Sequence, residues 1–195
     1  MNEEEVYLAE QIKSLVWSGF HDRRSVHACL DDLLDGDVDE AMLRALIDEE
    51  MHQKRAQEKD WPAQTDCDRL DAVFADLNGA MVIALQNAGY TTDEAHADVG
   101  ELYAQRPDGT YRGYCFYHGQ DLERAVAGEG IMLAFGDMQD TDAGKAAIAA
   151  LIIDTLQRHG FAADWNGSVR TRINVPHLHW QRRLARGHAG RAHSA

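Results

Sequence analysis

The sequence predicts an α/β protein, with α+β as the neighbouring possibility: an N-terminal three-helix segment, then a mixed sheet of about five strands with flanking helices. Three observations predict it. Residues 1–60 carry only the 3.6-residue apolar period of amphipathic helices. Beyond Trp61-Pro62, short apolar runs alternate with helical ones three times, the pattern of an α/β layer. Asn166-Gly167 then stands between two strand-like segments, 161–165 and 169–175, and that dipeptide favours the type I′ hairpin turn.

Each element has its own signal. Leu8, Ile12, Leu15 and Val16 share one helical face, and Gly19 ends that helix. Val26, Cys29, Leu30, Leu33 and Leu34 repeat the period. Asp39 caps a third helix with Met42, Leu43, Leu46 and Ile47 inside, before the polar run HQKRAQEKDWP, read as a charged linker. Proline pushes Trp61 out of the helical region and marks a boundary. Thr65-x-x-Asp68 opens the next helix in capping-box form, with Leu70, Val73, Phe74 and Leu77 buried. MVIAL (81–85) reads as a buried strand. Thr92 with Asp93 and Glu94 begins a helix whose acids suit its dipole. Pro107-Asp108-Gly109 is a turn by its chemistry. A strand over 112–118, a helix over 120–127 and a strand over 131–135 follow. The last helix starts at Asp140-Thr141-Asp142 and stops at His159-Gly160. The domain reading is an acidic helical segment at 1–60, an α/β domain at 61–183 and a basic flexible tail at 184–195.

Composition closes several function classes. The chain has 195 residues and a net charge of −14, from 33 acidic and 19 basic side chains. That surface repels phosphate backbones, so no nucleic-acid partner is expected. No apolar run approaches the roughly 20 residues of a bilayer crossing, so no membrane partner is expected either. The acidic start MNEEEVYLAE is unlike a secretory signal, and a cytoplasmic location is the expectation. Cys29, Cys67 and Cys115 are odd in number, widely spread and without a Cys-x-x-Cys, which fits reduced thiols.

The motifs divide into those that fail and those left open. DGDVDEAMLRAL has acids at calcium-loop positions 1, 3 and 5, but Glu40 stands where glycine is needed and Leu46 where a bidentate carboxylate is needed. Cys115 and His118, three apart on a strand, point to opposite faces and form no thiolate–imidazole pair. His118-Gly119-Gln120-Asp121 supports two readings. Ligands of open α/β sheets bind beyond the carboxyl ends of parallel strands. If the first three strands are parallel, His118, Gln120 and Asp121 gather there with Asn87 and Asp137 as ligand-binding candidates, and His118 with Asp121 as candidate catalytic groups. In the other reading Asp121 caps helix amides and Gly119 only permits a tight turn. His177 and His179 fall on one side of an extended segment as weak metal candidates with no third ligand. No cofactor is expected, and no phosphate-loop, dinucleotide, nucleophile-elbow or zincin motif occurs.

WPAQTDCDRLDAVFADLNG, ALQNAGY, YCFYHGQDLERAVAGEGIMLAFG, DWNGSVRTRI and HWQRR, in that order, resemble an uncharacterised bacterial family, domain of unknown function 6891. The resemblance runs from about Leu8 to Arg183 and implies no reaction, substrate or ligand. Some branches of that family place cysteines after the first strand; this chain has Thr91, Thr92 and Asp93 there and keeps only His96.

Two functions compete. One is a non-enzymatic binding or regulatory protein meeting a protein partner through its acidic helical segment. The other is a small enzyme acting on a polar metabolite through His118 and Asp121. A deep pocket with both side chains converging favours the enzyme; a shallow surface, or an Asp121 occupied by backbone amides, sinks it.

Overall fold

A computed structural model of the chain describes residues 1–105 and 110–184. The expected turn at 107–109 and the tail beyond Leu184 lie outside the described residues. The chain divides into two units, one of residues 1–63 with the segment from Gln181, the other Gln64–Trp180.

The first unit contains α1 (Glu3–Ser18), α2 (Arg23–Leu33) and α3 (Glu40–Gln57). Leu8, Ile12, Val16, Val26, Leu30, Leu43, Ile47 and Met51 form its core, whereas Leu33 is exposed. Asn2, Asp22 and Asp39 cap the three helices through their side chains. Gly19 takes a φ of 78°, and the Arg182 backbone and stem occupy the space a Cβ would need there. The supposed charged linker is largely helix, since α3 runs on through His52–Gln57. Good helix formers fill that run, and Lys54 continues the buried stripe of Ile47 and Met51. Its ammonium donates to the carbonyls of Val16 (2.9 Å) and Trp17 (3.3 Å) in the last turn of α1, where carbonyls run out of i+4 partners within the helix. Gln181–Leu184 lies with this unit: the Arg182 guanidinium covers the Phe20 ring at 4.4 Å, and the Leu184 amide donates to Glu58 at 2.7 Å.

The second unit is α/β. It contains α4 (Asp66–Gly79), β1 (Val82–Leu85), α5 (Thr92–Gln105), β2 (Gly113–Phe116), α6 (Gly119–Val126), β3 (Ile131–Asp137), α7 (Asp142–Arg158) and β4 (Ile173–Val175). The sheet is mixed and has four strands in the order β1-β2-β3-β4. β1 and β2 are parallel across the α5 crossover; β2–β3 and β3–β4 are antiparallel. The idea of three parallel strands is therefore corrected at β3. Only the eight-residue α6 separates β2 from β3, and Gly128 and Gly130, with φ of 85° and 76°, turn the chain back after it.

Strand alternation sends Val82, Cys115, Tyr117, Ile131, Leu133, Ile173 and Val175 into one core with α4 and α7. Ile83, Phe116 and Ala134 face the other side, with Ala95 and Val99 of α5. The expected fifth strand, 161–165, is reduced to a single bridge between Asp164 and Asn174. Side chains close the intervening loop instead of a ladder. The Asn166 Oδ1 accepts from the Ser168 amide and the Thr171 hydroxyl, and the Trp165 indole donates to the Ser168 carbonyl. No helix among the described residues is long and apolar enough to cross a membrane.

Candidate functional site

The β2–α6 corner is built from the sheet outward. The Ala88 amide donates to Tyr117 O, and the Gly119 amide to Gly89 O at 3.0 Å, so the β1–α5 loop is fastened beside the end of β2. Gly119 packs against Tyr90 too tightly to carry a Cβ. The first free amides of α6 are then used up one by one: Gly119 on Gly89 O, Gln120 on Tyr90 O (3.3 Å), Asp121 on the His118 Nδ1 (3.3 Å) and Leu122 on His118 O (3.0 Å). A helix start with its donors engaged offers no anion cradle.

His118 and Asp121 form a reciprocal capping box, with Asp121 Oδ2 accepting from the His118 amide at 3.4 Å. Both residues are buried, at 3% and 1% exposure. Because Nδ1 accepts the Asp121 amide proton, the imidazole is neutral and carries its hydrogen on Nε2, which faces Asp121 Oδ2 at 3.2 Å. Burial pushes the His118 pKa below the ordinary imidazole range; Asp121 opposes that and the Arg172 charge adds to it. Arg172, directly before β4, donates from Nη1 to both Asp121 oxygens at 2.9 Å. Arg172 Nη1 also lies 3.2 Å from His118 Nε2, two donors side by side in this tautomer, with the Asp121 carboxylate as the acceptor they share.

Beyond Arg172 the surface opens into a wide, shallow depression of about 500 Å³, lined also by Ala163, Asp164, Trp165, Asn166 and Thr171. His118 and Asp121 do not line it.

The remaining candidates scatter. Asn87 is at the same sheet end, half-buried with φ of 52°, and among the described residues its side chain makes no hydrogen bond to the His118 cluster. Gln120 is exposed. Asp137 is corrected: antiparallel pairing sets it opposite Gly113, at the far end of the sheet from His118. There it accepts from the Thr141 amide (3.1 Å) and hydroxyl (2.9 Å), bonds that outweigh its desolvation and hold its pKa below the carboxylate norm. His177 has a φ of 58° within a turn, so it and His179 do not line one side of an extended segment. Among the described residues no group of three or more His, Cys, Asp or Glu side chains is placed to hold a metal ion. Cys115 is fully buried, which pushes its thiol well above the ordinary range.

Sequence reasoning missed Arg172. Its trace was the pair Arg170 and Arg172 in SVRTRI, alternating basic residues next to a strand in an acidic chain.

The model of the family described as a domain of unknown function (DUF6891) matches residues 1–184. The chain belongs to that family. The match takes in both the helical unit and the α/β unit, so the family pattern spans the three-helix core as well as the His118 corner. Comparison with curated proteins and with solved structures finds no match.

Proposed function

We propose that this chain is a cytoplasmic, non-enzymatic binding protein whose acidic helical unit meets a basic protein partner. The observation that carries the reading is on α1. Val6 and Tyr7 are 44% and 53% exposed there, beside the exposed carboxylates of Glu3, Glu4 and Glu10. An accessible aromatic ring within an acidic rim is suited to a partner that supplies Lys or Arg around an apolar socket.

The competing reading, a small enzyme using His118 and Asp121, loses its footing on geometry. Both imidazole nitrogens and both carboxylate oxygens are spent on the cap and on Arg172, beneath the surface. A general base needs a lone pair within reach of a substrate proton, and His118 has none to offer. Three thiols without a disulfide agree with a reducing compartment.

Native mass spectrometry on untagged protein, purified gently from its own cells, tests the proposal. The expected species is the chain with one stoichiometric basic partner, weakened by salt and lost in a Tyr7→Ser/Glu10→Lys variant. A small-molecule adduct that disappears in His118→Asn, or a bare protomer under every gentle condition, overturns it.

A further inference from the structure

Two Asn-Gly dipeptides occur in this chain, Asn78-Gly79 and Asn166-Gly167. An asparagine followed by glycine can lose its side-chain amide in water without a catalyst, because no Cβ hinders the nitrogen that follows it. The dipeptide chemistry of the two sites is the same, so the fold decides which of them reacts.

Asn78 is held back from that reaction. Its Nδ2 reaches back to Phe74 O at 2.9 Å and across to Ala84 O at 3.0 Å, while its Oδ1 accepts from the Ala84 amide at 3.1 Å. Gly79 is the last residue of α4, and its amide belongs to the intrahelical ladder. The leaving nitrogen and the attacking nitrogen are both engaged.

Asn166 differs on each count. It is exposed at the rim of the depression of about 500 Å³, and the Ser168 amide donates to its Oδ1 at 3.0 Å. That bond, from two residues ahead, folds the side chain forward over the Gly167 peptide and polarises the carbonyl. The Thr171 hydroxyl, with one hydrogen to share between Asn166 Oδ1 (2.6 Å) and Ser168 O (2.9 Å), adds to it. Among the described residues, neither Asn166 Nδ2 nor the Gly167 amide donates a hydrogen bond.

We propose that Asn166 is a site of spontaneous deamidation in the folded protein, with water as the co-reactant, and that Asn78 is not. The Gly167 nitrogen gives its proton to solvent base and attacks Asn166 Cγ. The new N–Cγ bond forms as the Cγ–Nδ2 bond breaks, and the departing nitrogen takes up a proton and leaves as ammonia. Water then opens the cyclic imide at either carbonyl, leaving aspartate or isoaspartate. Either product adds a carboxylate to a rim that already holds Asp164, and isoaspartate lengthens the backbone of the loop that leads to Arg172. The site lies in the α/β unit and stands independently of the Val6–Tyr7 surface.

Peptide mapping by mass spectrometry of the full chain, aged at mildly alkaline pH either folded or in guanidinium chloride, tests the proposal. In the folded chain Asn166 is expected to convert at least about tenfold faster than Asn78, whose reaction must wait for local opening at the end of α4. Guanidinium is expected to abolish that difference, because it leaves only the shared dipeptide chemistry. An Asn78 that keeps pace with Asn166 in the folded chain, an Asn166 that stays intact there while guanidinium converts it, or a difference that persists in guanidinium overturns the assignment.

Discussion

Arg172 places one guanidinium nitrogen 2.9 Å from each carboxylate oxygen of Asp121, across 51 positions of chain. The contact ties the segment entering β4 to the first turn of α6, so two ends of the α/β unit are joined by one buried acid and one half-exposed base. Removing the base strands the acid. Arg172→Ala is expected to cost roughly 2–3 kcal/mol in urea unfolding, less than a fully buried pair because the arginine is 38% exposed. Asp121→Asn, which keeps an acceptor for the cap, costs less, and the double variant is less than additive.

What was legible in the sequence follows from range. The capping box at Thr65–Asp68 and the stripe Leu8, Ile12, Val16 depend on residues three or four apart, and both are present. The α5 crossover and a mixed sheet were also readable from the alternation of runs. The direction of β3 was not, because it is set by the return path through Gly128 and Gly130 rather than by the strand's own residues. The length of α3 was hidden because a buried lysine, Lys54, reads as solvent-facing. Arg172 left only the trace of two alternating arginines, because its partner, Asp121, is distant in sequence. Asp137 was misplaced by the assumption of parallel strands.

The pH response of stability follows from His118. Its folded pKa lies below the unfolded one, owing to burial first, with Asp121 opposing and Arg172 adding. The unfolded chain therefore takes up the proton first, and stability falls as pH drops below about 6.5. His21 is depressed in the same direction by burial, against Asp22, and contributes a parallel loss. His118→Asn, which can still cap α6, is expected to flatten the dependence of the denaturation midpoint between about pH 6.5 and 5, leaving the His21 share. An unchanged slope contradicts the neutral buried imidazole.

Tyr114 lies over Gly136 on the neighbouring strand and stacks on Phe116 at 5.9 Å, while the His96 ring meets both edge-on. A Cβ at Gly136 would enter the Tyr114 ring. Gly136→Ala is expected to lower stability by about 2 kcal/mol through forced repacking. Combining it with Tyr114→Ala should recover part of that cost, measured as a non-additive midpoint shift.

Asn78 guards the free edge of the sheet. Its side-chain amide donates to Ala84 O at 3.0 Å and accepts from the Ala84 amide at 3.1 Å, taking the place of a neighbouring strand on β1. It also bonds Phe74 O at 2.9 Å. Asn78→Ala is expected to cost about 1–2 kcal/mol and to expose an unpaired edge, giving concentration-dependent association in sedimentation velocity. A monomer of unchanged stability would show that the edge is protected otherwise.

The His118 corner is a fastening whose polar atoms are in use. Long-range ¹H–¹⁵N correlation of the histidine rings, followed from about pH 8 to 5 with His118→Asn for assignment, reads it directly. A single Nε2–H tautomer is expected at neutral pH, titrating below the ordinary imidazole value. An Nδ1–H tautomer, or a ring already charged at neutral pH, would contradict it and return His118 to the list of groups free to handle a proton.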